Sequence, residues 1–298
     1  MVIVRLTGGL GNQLFQYAAA LRVALITGSP LRLDILSLAR DSKRCYSLWP
    51  YQISATLAGD AEITFFQGRE RLRTAKHALY ERIPARWRRW HWVRQPSLRF
   101  YPPVLGLQGS VYLDGSWQSE RYFGDITDRL RSEFTLSAPL TGRNEALARQ
   151  IESMPSTVSL HVRRGDYVDH AATQAIHEVC SPDYYAAAVL RLAGSEDKSH
   201  VFVFSDDPTW VKTNVHLPLP MTIVDHNPAD QAHEDLRLMS LCRHHIIANS
   251  SFSWWGAWLG RKPGKMVFAP NRWFNCDGYE IRDIVPADWT LLDFDGRR

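Results

Sequence analysis

Cysteine is scarce: Cys45, Cys180, Cys242 and Cys276 stand far apart and no two form a C-x-x-C pair. That excludes a disulfide-framed mini-fold, a zinc ribbon and a thioredoxin-like redox motif. The thiols are expected to be reduced and buried, in a reducing compartment. With 18 glycines and 16 prolines in 298 residues, the chain is neither collagen-like nor of low complexity. No apolar run reaches the roughly 18 residues of a membrane span. The first ten residues, MVIVRLTGGL, have no basic stretch ahead of an apolar core, and Arg5 interrupts them. A targeting segment is therefore not expected, and a cytoplasmic protein is. The sequence shows no internal repeat. The pattern D-x-D, which holds a metal in many nucleotide-sugar enzymes, occurs only as Asp293-Phe294-Asp295 near the last residue, so no metal site is expected.

What the chain does have is strands alternating with helices. Val2 to Leu6 reads as a strand, followed by Gly8-Gly9-Leu10-Gly11-Asn12-Gln13, a helical pattern from Leu14 to Ala24, and a second strand, Leu31 to Ile35. Residues 36–110 give only short helical patterns of poor periodicity, rich in Arg and Trp. Strands are expected again at 111–114, 157–161, 200–204, 221–224, 245–248 and 265–268. Helices are expected at 119–133, from Ser181-Pro182 onward, and over 207–214, 229–243 and 251–260, with Ser181 as N-cap and Pro182 in the first turn. This is α/β throughout: two doubly wound, Rossmann-like domains, 1–138 and 139–298, joined at Ser137-Ala138-Pro139.

Ligands of open α/β sheets bind beyond the carboxyl ends of the strands. Every such end in the second half is polar: His161-Val162-Arg163-Arg164-Gly165-Asp166, Ser205-Asp206-Asp207, Asp225-His226-Asn227, Asn249-Ser250-Ser251-Phe252 and Asn271-Arg272. Adjacent strand residues face opposite ways, so one of Arg163 and Arg164 can enter a cleft while the other is held in the scaffold. An arginine there binds phosphate through its planar fork; the alternative is a turn closed by Asp166. Ser250 and Ser251 begin a helix, where they form an anion site or simply cap it. Two arginines opposite two serines point to a diphosphate. The N-terminal loop has Gly9-x-Gly11, but Leu14 denies it the third small residue of a dinucleotide fingerprint, and Asp34 is a weak ribose partner. Asn12 and Gln13 suit a sugar or a phosphate edge.

Three segments, Gly8 to Gln13, His161 to Tyr167 and Ser250 to Trp258, occur in this order in the bacterial α-1,2-fucosyltransferases, glycosyltransferase family 11, which the chain resembles over nearly its whole length. The resemblance implies two domains facing across a cleft (the B-type glycosyltransferase fold). It also implies transfer of L-fucose from GDP-fucose to a galactose 2-hydroxyl, with inversion and without metal or other cofactor. It places Arg163 on the β-phosphate, Ser250 and Ser251 on the diphosphate, and Asp235 on the guanine edge. His161, Arg164, Asn249 and Phe252 join the donor set, with Gly9, Gly11, Asn12 and Gln13 of the first half. Asp166 is the first candidate for general base, or else it orients Arg163. A related fucosyltransferase group has a glutamate where this chain has Ala171, so Glu120, Asp114 and His161 stay open as bases. The Trp254 to Trp258 run is read as core rather than as a sugar platform. His177, His244 and His245 show no ligand spacing.

The net charge is only +4, but residues 69–99 alone carry +8. Within them, Arg82 to Arg94 interleaves arginine with Trp87, Trp90 and Trp92. This segment is a solvated helix with tryptophans turned inward, an anionic-membrane contact, or a nucleic-acid contact. The expected acceptor is a galactose-terminated oligosaccharide or a lipid-linked glycan, which suits the membrane reading; no nucleic acid is expected. The competing classes are a nicotinamide-dependent oxidoreductase and a nucleic-acid-binding protein.

Overall fold

Short runs of aliphatic residues without polar alternation are the mark of strands buried on both faces. The computed structural model, which describes residues 1–75, 90–165, 178–194, 199–275 and 277–294, forms two parallel sheets, with such runs at Val2–Val4 and Val201–Phe204. The chain divides into two compact units, Met1–Ser137 and Ala138–Arg298.

In the first unit the strands are β1 (Val2–Arg5), β2 (Leu31–Asp34), β3 (Thr56–Leu57), β4 (Trp90–Arg94) and β5 (Ser110–Asp114), in the order β3-β2-β1-β5-β4. Helix α1 (Leu10–Thr27) leaves β1 through the glycine loop. It runs three residues beyond the expected end because Gly28 stops it: this residue is left-handed at φ 59°, and its N–H closes back on the carbonyls of Ala24 and Leu25. Helix α2 (Asp60–Ala75) buries Ile63 and Phe66 on one face of the sheet, against Ile3 and Tyr112. The Glu62 carboxylate reaches back to the Gly59 N–H at 2.9 Å and fixes its start.

The stretch of weakest sequence signal thus contains α2 and the strand β4. Trp90 and Trp92 belong to that strand and pack against the apolar cluster of Ile3, Phe66 and Tyr112, not on a helix. Trp92 stacks on Tyr112 with centroids 4.1 Å apart. Arg86, Trp87, Arg88 and Arg89 lie outside the described residues.

In the second unit β6 (Ser156–Val162), β7 (Ser199–Ser205), β8 (Met221–Val224), β9 (His244–Ile246), β10 (Val267–Pro270) and β11 (Thr290–Leu292) lie in the order β11-β10-β9-β6-β7-β8. The chain winds outward from β6 to β8, returns to β9 beside β6, and winds the other way. The strand order therefore reverses between β6 and β9. Helices α3 (Thr127–Glu133) in the first unit and α4 (Gly142–Ser153), α5 (Pro182–Ala193), α6 (Pro208–Asn214), α7 (Ala232–Leu241) and α8 (Ser251–Leu259) in the second cover the sheets. Ser181 caps α5 as expected, its hydroxyl accepting from the Tyr184 N–H at 3.2 Å.

The Trp254 to Trp258 run is core: Trp254 and Trp255 are wholly buried, and the Trp254 indole N–H donates to the Ile284 carbonyl at 2.8 Å. Cys180 and Cys242 are buried free thiols, with Cys180 pushed up to about 12 by burial. Cys45 is exposed, against expectation: its carbonyl accepts from Gln13 and its thiol meets only the Ser47 hydroxyl, at 3.9 Å, among the described residues. Cys276 lies outside the described residues.

Candidate functional site

A reversal of strand order opens a crevice between the carboxyl ends of the two strands that flank it. In the second unit those are β6, which runs into Arg163, and β9, which runs through Asn249 and Ser250 into α8. The two sides touch: the His161 ring at the end of β6 lies 5.4 Å from the Phe252 ring in the first turn of α8.

The two arginines that follow β6 meet two adjacent acids, Asp206 and Asp207, that follow β7. Arg164 is held in the scaffold, with its guanidinium 3.9 Å over the Trp210 ring and 3.5 Å from the Asp207 carboxylate. Arg163 Nη1 meets Asp206 Oδ2 at 2.8 Å. Asp206 Oδ1 in turn accepts the Arg164 backbone N–H at 2.9 Å. Asp206 thereby fixes the direction of the Arg163 guanidinium from the neighbouring strand. Gly165 makes room for this, since a Cβ there would sit 2.5 Å from Asp206 Oδ2. Asp166, the expected base or turn-closing partner, lies outside the described residues, as do Ala171 and His177.

Ser250 occupies the N-cap position of α8 in extended backbone, yet its hydroxyl makes no capping hydrogen bond. The capping alternative is therefore not what this side chain does. A helix start also carries partial positive charge on its first-turn N–H groups. Asn249 serves the scaffold: its buried Nδ2 donates to the Glu178 carbonyl at 2.9 Å and the Trp273 carbonyl at 3.2 Å. It ties two loops to the end of β9.

His161 is buried, and burial, reinforced by the Arg163 charge, pushes it down to about 3. Its ring is neutral, which makes it a weak general base near neutral pH. Its Nδ1 is buried without a hydrogen-bond partner among the described residues.

Asp235 stands on α7, which packs so closely on α8 that a Cβ at Gly256 would meet Met239 Cε at 2.9 Å. It is not a surface partner of Arg237, which instead lies 3.5 Å from Glu234. Asn227, just beyond β8, donates to Asp235 Oδ1 at 2.7 Å. Asn227 is itself clamped by a reciprocal amide pair with Asn144, at 2.8 and 3.0 Å, and Asn144 also meets the His226 ring at 2.7 Å. Burial pushes the Asp235 carboxyl up to about 6. Asn227 and Asp206 are positioning residues that the sequence shows only as polar strand ends; their partners are set by the sheet order.

At the β10 end, Asn271 donates to Asp293, and Arg272 pairs with Glu178 at 2.7 Å beside a cavity of about 610 Å3. Asp295, the other half of the D-x-D, lies outside the described residues.

The glycine loop of the first unit has a different use for its polar residues. Gly8 is left-handed at φ 73°, and a Cβ on it would collide with Asn12 Nδ2. Gln13 is fully buried: its Nε2 donates to the carbonyls of Gly8 and Cys45 at 2.9 and 2.8 Å, and its Oε1 accepts the Ser47 N–H at 2.9 Å. It staples the loop, with both polar atoms of its side chain bonded within the protein. Asn12 Oδ1 accepts from Gln118 at 2.9 Å. Gly9 is the extended N-cap of α1, and Gly11 is buried in its first turn.

The model for glycosyl transferase family 11 matches residues 86–292. This chain belongs to that family. It is 31% identical to the alpha-1,2-colitosyltransferase of Escherichia coli over 98% of its own length and 99% of the relative's. It is 25% identical to the galactoside 2-alpha-L-fucosyltransferase SEC1 of Bos taurus, covering 96% of this chain and 70% of that one. Among solved structures, Arabidopsis thaliana FUT1 in complex with GDP matches with a TM-score of 0.53 at 14% identity, over 89% of this chain and 69% of that one. That likeness is one of fold: two parallel-sheet α/β units of the B-type glycosyltransferase kind. The family 11 chain is thus a glycosyltransferase, and the resemblance carried by its three motifs is borne out.

Proposed function

We propose that the chain transfers L-fucose from GDP-fucose to the 2-hydroxyl of a galactoside, with inversion and without a metal ion. The observation that carries this is the pair of strand ends that flank the strand-order reversal: Arg163, held by Asp206, follows β6, and the start of α8, whose N-cap hydroxyl makes no capping bond, follows β9. As the bond from sugar C1 to phosphate oxygen breaks, negative charge grows on the departing β-phosphate. Positive groups fixed in advance at that point stabilise the transition state more than the ground state. Arg163 and the α8 helix end supply such charge from the chain itself. Asp235 accepts the guanine ring N–H and amino group, for which its carboxylate geometry, set by Asn227, is suited. The acceptor hydroxyl attacks from the opposite face, and Asp166 takes its proton.

The names of the relatives support both the linkage and the sugar class. The colitosyltransferase favours a second reading of the donor alone, GDP-colitose, whose sugar differs from fucose by lacking the 3-hydroxyl. A peripheral contact with an anionic membrane rests on the arginines before Trp90, because Trp90 and Trp92 face the core of the first unit.

The test is a donor and acceptor screen in excess EDTA. GDP-fucose, GDP-colitose, GDP-mannose and UDP-galactose are each offered with lactose, and products are identified by NMR. An α-1,2-linked product from a GDP-linked 6-deoxy sugar is expected. Product only from UDP-galactose, or only on adding Mn2+, contradicts the reading.

A further inference from the structure

The first unit has a cavity of about 420 Å3, within the usual small-molecule range of about 300–1,000 Å3. It opens at the carboxyl edge of the sheet, and the strand register explains its chemistry. Arg5 is level with Asp34 on β2, and Arg94 on β4 is level with Asp114 on β5. Side chains at one level of a parallel sheet share a face. The edge therefore presents Asp34, Arg5, Asp114 and Arg94 in a row across four strands. One level below, Tyr112 and Trp92 are paired and stacked, and both line the cavity.

The acids of this row are spent within the protein. Asp34 accepts the Leu36 N–H at 2.9 Å and the Tyr112 hydroxyl. Asp114 is shared by Arg5 and Arg94, each at 3.4 Å. The bases are not matched in number: Arg5, Arg40 and Arg94 line the cavity against Asp34 and Asp114. Arg40 is exposed, and while its backbone N–H donates to the Ser37 carbonyl, its guanidinium has no hydrogen-bond or ion-pair partner among the described residues. Each guanidinium carries five N–H donors and no acceptor. The cavity is thus rich in donors, short of acceptors, and floored by aromatic rings.

We propose that this cavity of the first unit is a carbohydrate site and that it takes an anionic sugar residue. The aromatic floor meets the C–H face of a pyranose, while Arg40, with Arg5 and Arg94, meets a carboxylate or phosphate on its edge. Naming that residue as part of the acceptor glycan rests on the transferase reading; the affinity of the cavity for an anionic sugar does not.

The test uses the full chain at low salt, because screening weakens exposed charge pairs. Calorimetry and saturation-transfer NMR follow three probes: methyl β-D-galactoside, methyl β-D-galacturonide and methyl β-D-galactoside 6-phosphate. GDP is titrated in parallel. One or both anionic probes should bind about tenfold or more tightly than the neutral one, the scale of one charge-assisted hydrogen bond. Preference for the uronide identifies a carboxylate and preference for the ester a phosphate; either supports the site. Arg40→Gln, which breaks no described contact, should abolish that preference and leave neutral binding and GDP affinity unchanged. Trp92→Ala should weaken all three probes. Equal binding of the three probes overturns the proposal. So does failure of all three while GDP binds, or a preference that survives Arg40→Gln. Loss of GDP binding with the preference intact strikes the transferase reading instead and leaves the cavity assigned.

Discussion

The two units use the same device, a parallel strand passing through a polar loop into a helix, and use it for opposite ends. In the first, Gln13 and Gln16 at the start of α1 turn inward. Gln13 staples Gly8, Cys45 and Ser47, and Gln16 grips Thr7 through its N–H at 2.9 Å and its hydroxyl at 2.8 Å. In the second, the N-cap hydroxyl of α8 caps nothing, and the nearby arginine is held from the side by an acid on the next strand. A polar loop before a helix is therefore not by itself a ligand site. What decides is whether the protein has already consumed the hydrogen-bonding capacity of its side chains.

That contrast can be broken from either side. The largest effect should come from Arg163→Ala, which removes the charge facing the departing phosphate. Turnover should fall by about 10²–10³, the scale of losing one fixed donor to a developing anion, while the thermal midpoint stays near that of the parent. Rapid-quench or coupled kinetics with saturating donor measures it. Next is Gln13→Ala, which takes away the partner of the Gly8 carbonyl and of the Ser47 N–H, the Cys45 carbonyl keeping the Ser47 hydroxyl at 3.1 Å. It should cost about 2–4 kcal/mol of stability, read by denaturant unfolding, and leave GDP affinity of the folded protein intact. A loss of GDP affinity with unchanged stability would return Gln13 to the binding site.

Asp206→Asn keeps an acceptor for the Arg164 N–H but removes the charge that aims Arg163. A fall of about threefold to tenfold in kcat/KM for the donor is expected, with little change in the acceptor KM. A purely structural role would instead lower the melting temperature and leave both constants alone.

The smallest effect concerns Asp235, raised by burial from 3.8 to about 6. The folded state holds this proton more tightly than the unfolded chain does. The neutral carboxyl therefore favours folding below pH 3.8, and that contribution is lost as the pH rises through about 6. Guanine recognition needs the carboxylate, so it runs the other way. Guanosine affinity should weaken several-fold as the pH falls through about 6, and Asp235→Asn should flatten the profile. Guanosine is the ligand of choice because it has no phosphate to titrate there.

The sequence makes the second sheet legible because its central strands are buried on both faces and rich in Val, Leu and Phe, as in Val201 to Phe204. Ser181-Pro182 marks a helix start as clearly as any pair in the chain. The first unit is harder for physical reasons. In helix α2 the buried Ile63 and Phe66 are followed in sequence by Gly68 and the charged run Arg69-Glu70-Arg71, which blurs the helical period. Strand β4 lies at a sheet edge, where Trp90, His91 and Trp92 are all half-buried and no alternation shows. Strand β11 is another short edge segment, and it escapes notice for the same reason.

In the site, Arg163 and Ser250 are legible as candidates from their places after strands, and Asp235 only through the family resemblance. Their partners are not. Asp206 and Asn227 meet them only through the sheet order, and Gln13 meets Cys45 and Ser47 only through a loop crossing.

The central claim is that the strand-order reversal of the second unit holds the diphosphate of a guanine nucleotide through Arg163 and the start of α8. Calorimetric titration of GDP and guanosine into the parent chain and Arg163→Lys, with EDTA present, tests it most directly. Lysine keeps the charge and loses the fork. The account predicts that GDP binding weakens by about tenfold or more while guanosine binding is unchanged. Equal GDP affinity in the two proteins, or a parallel loss for guanosine, would contradict it.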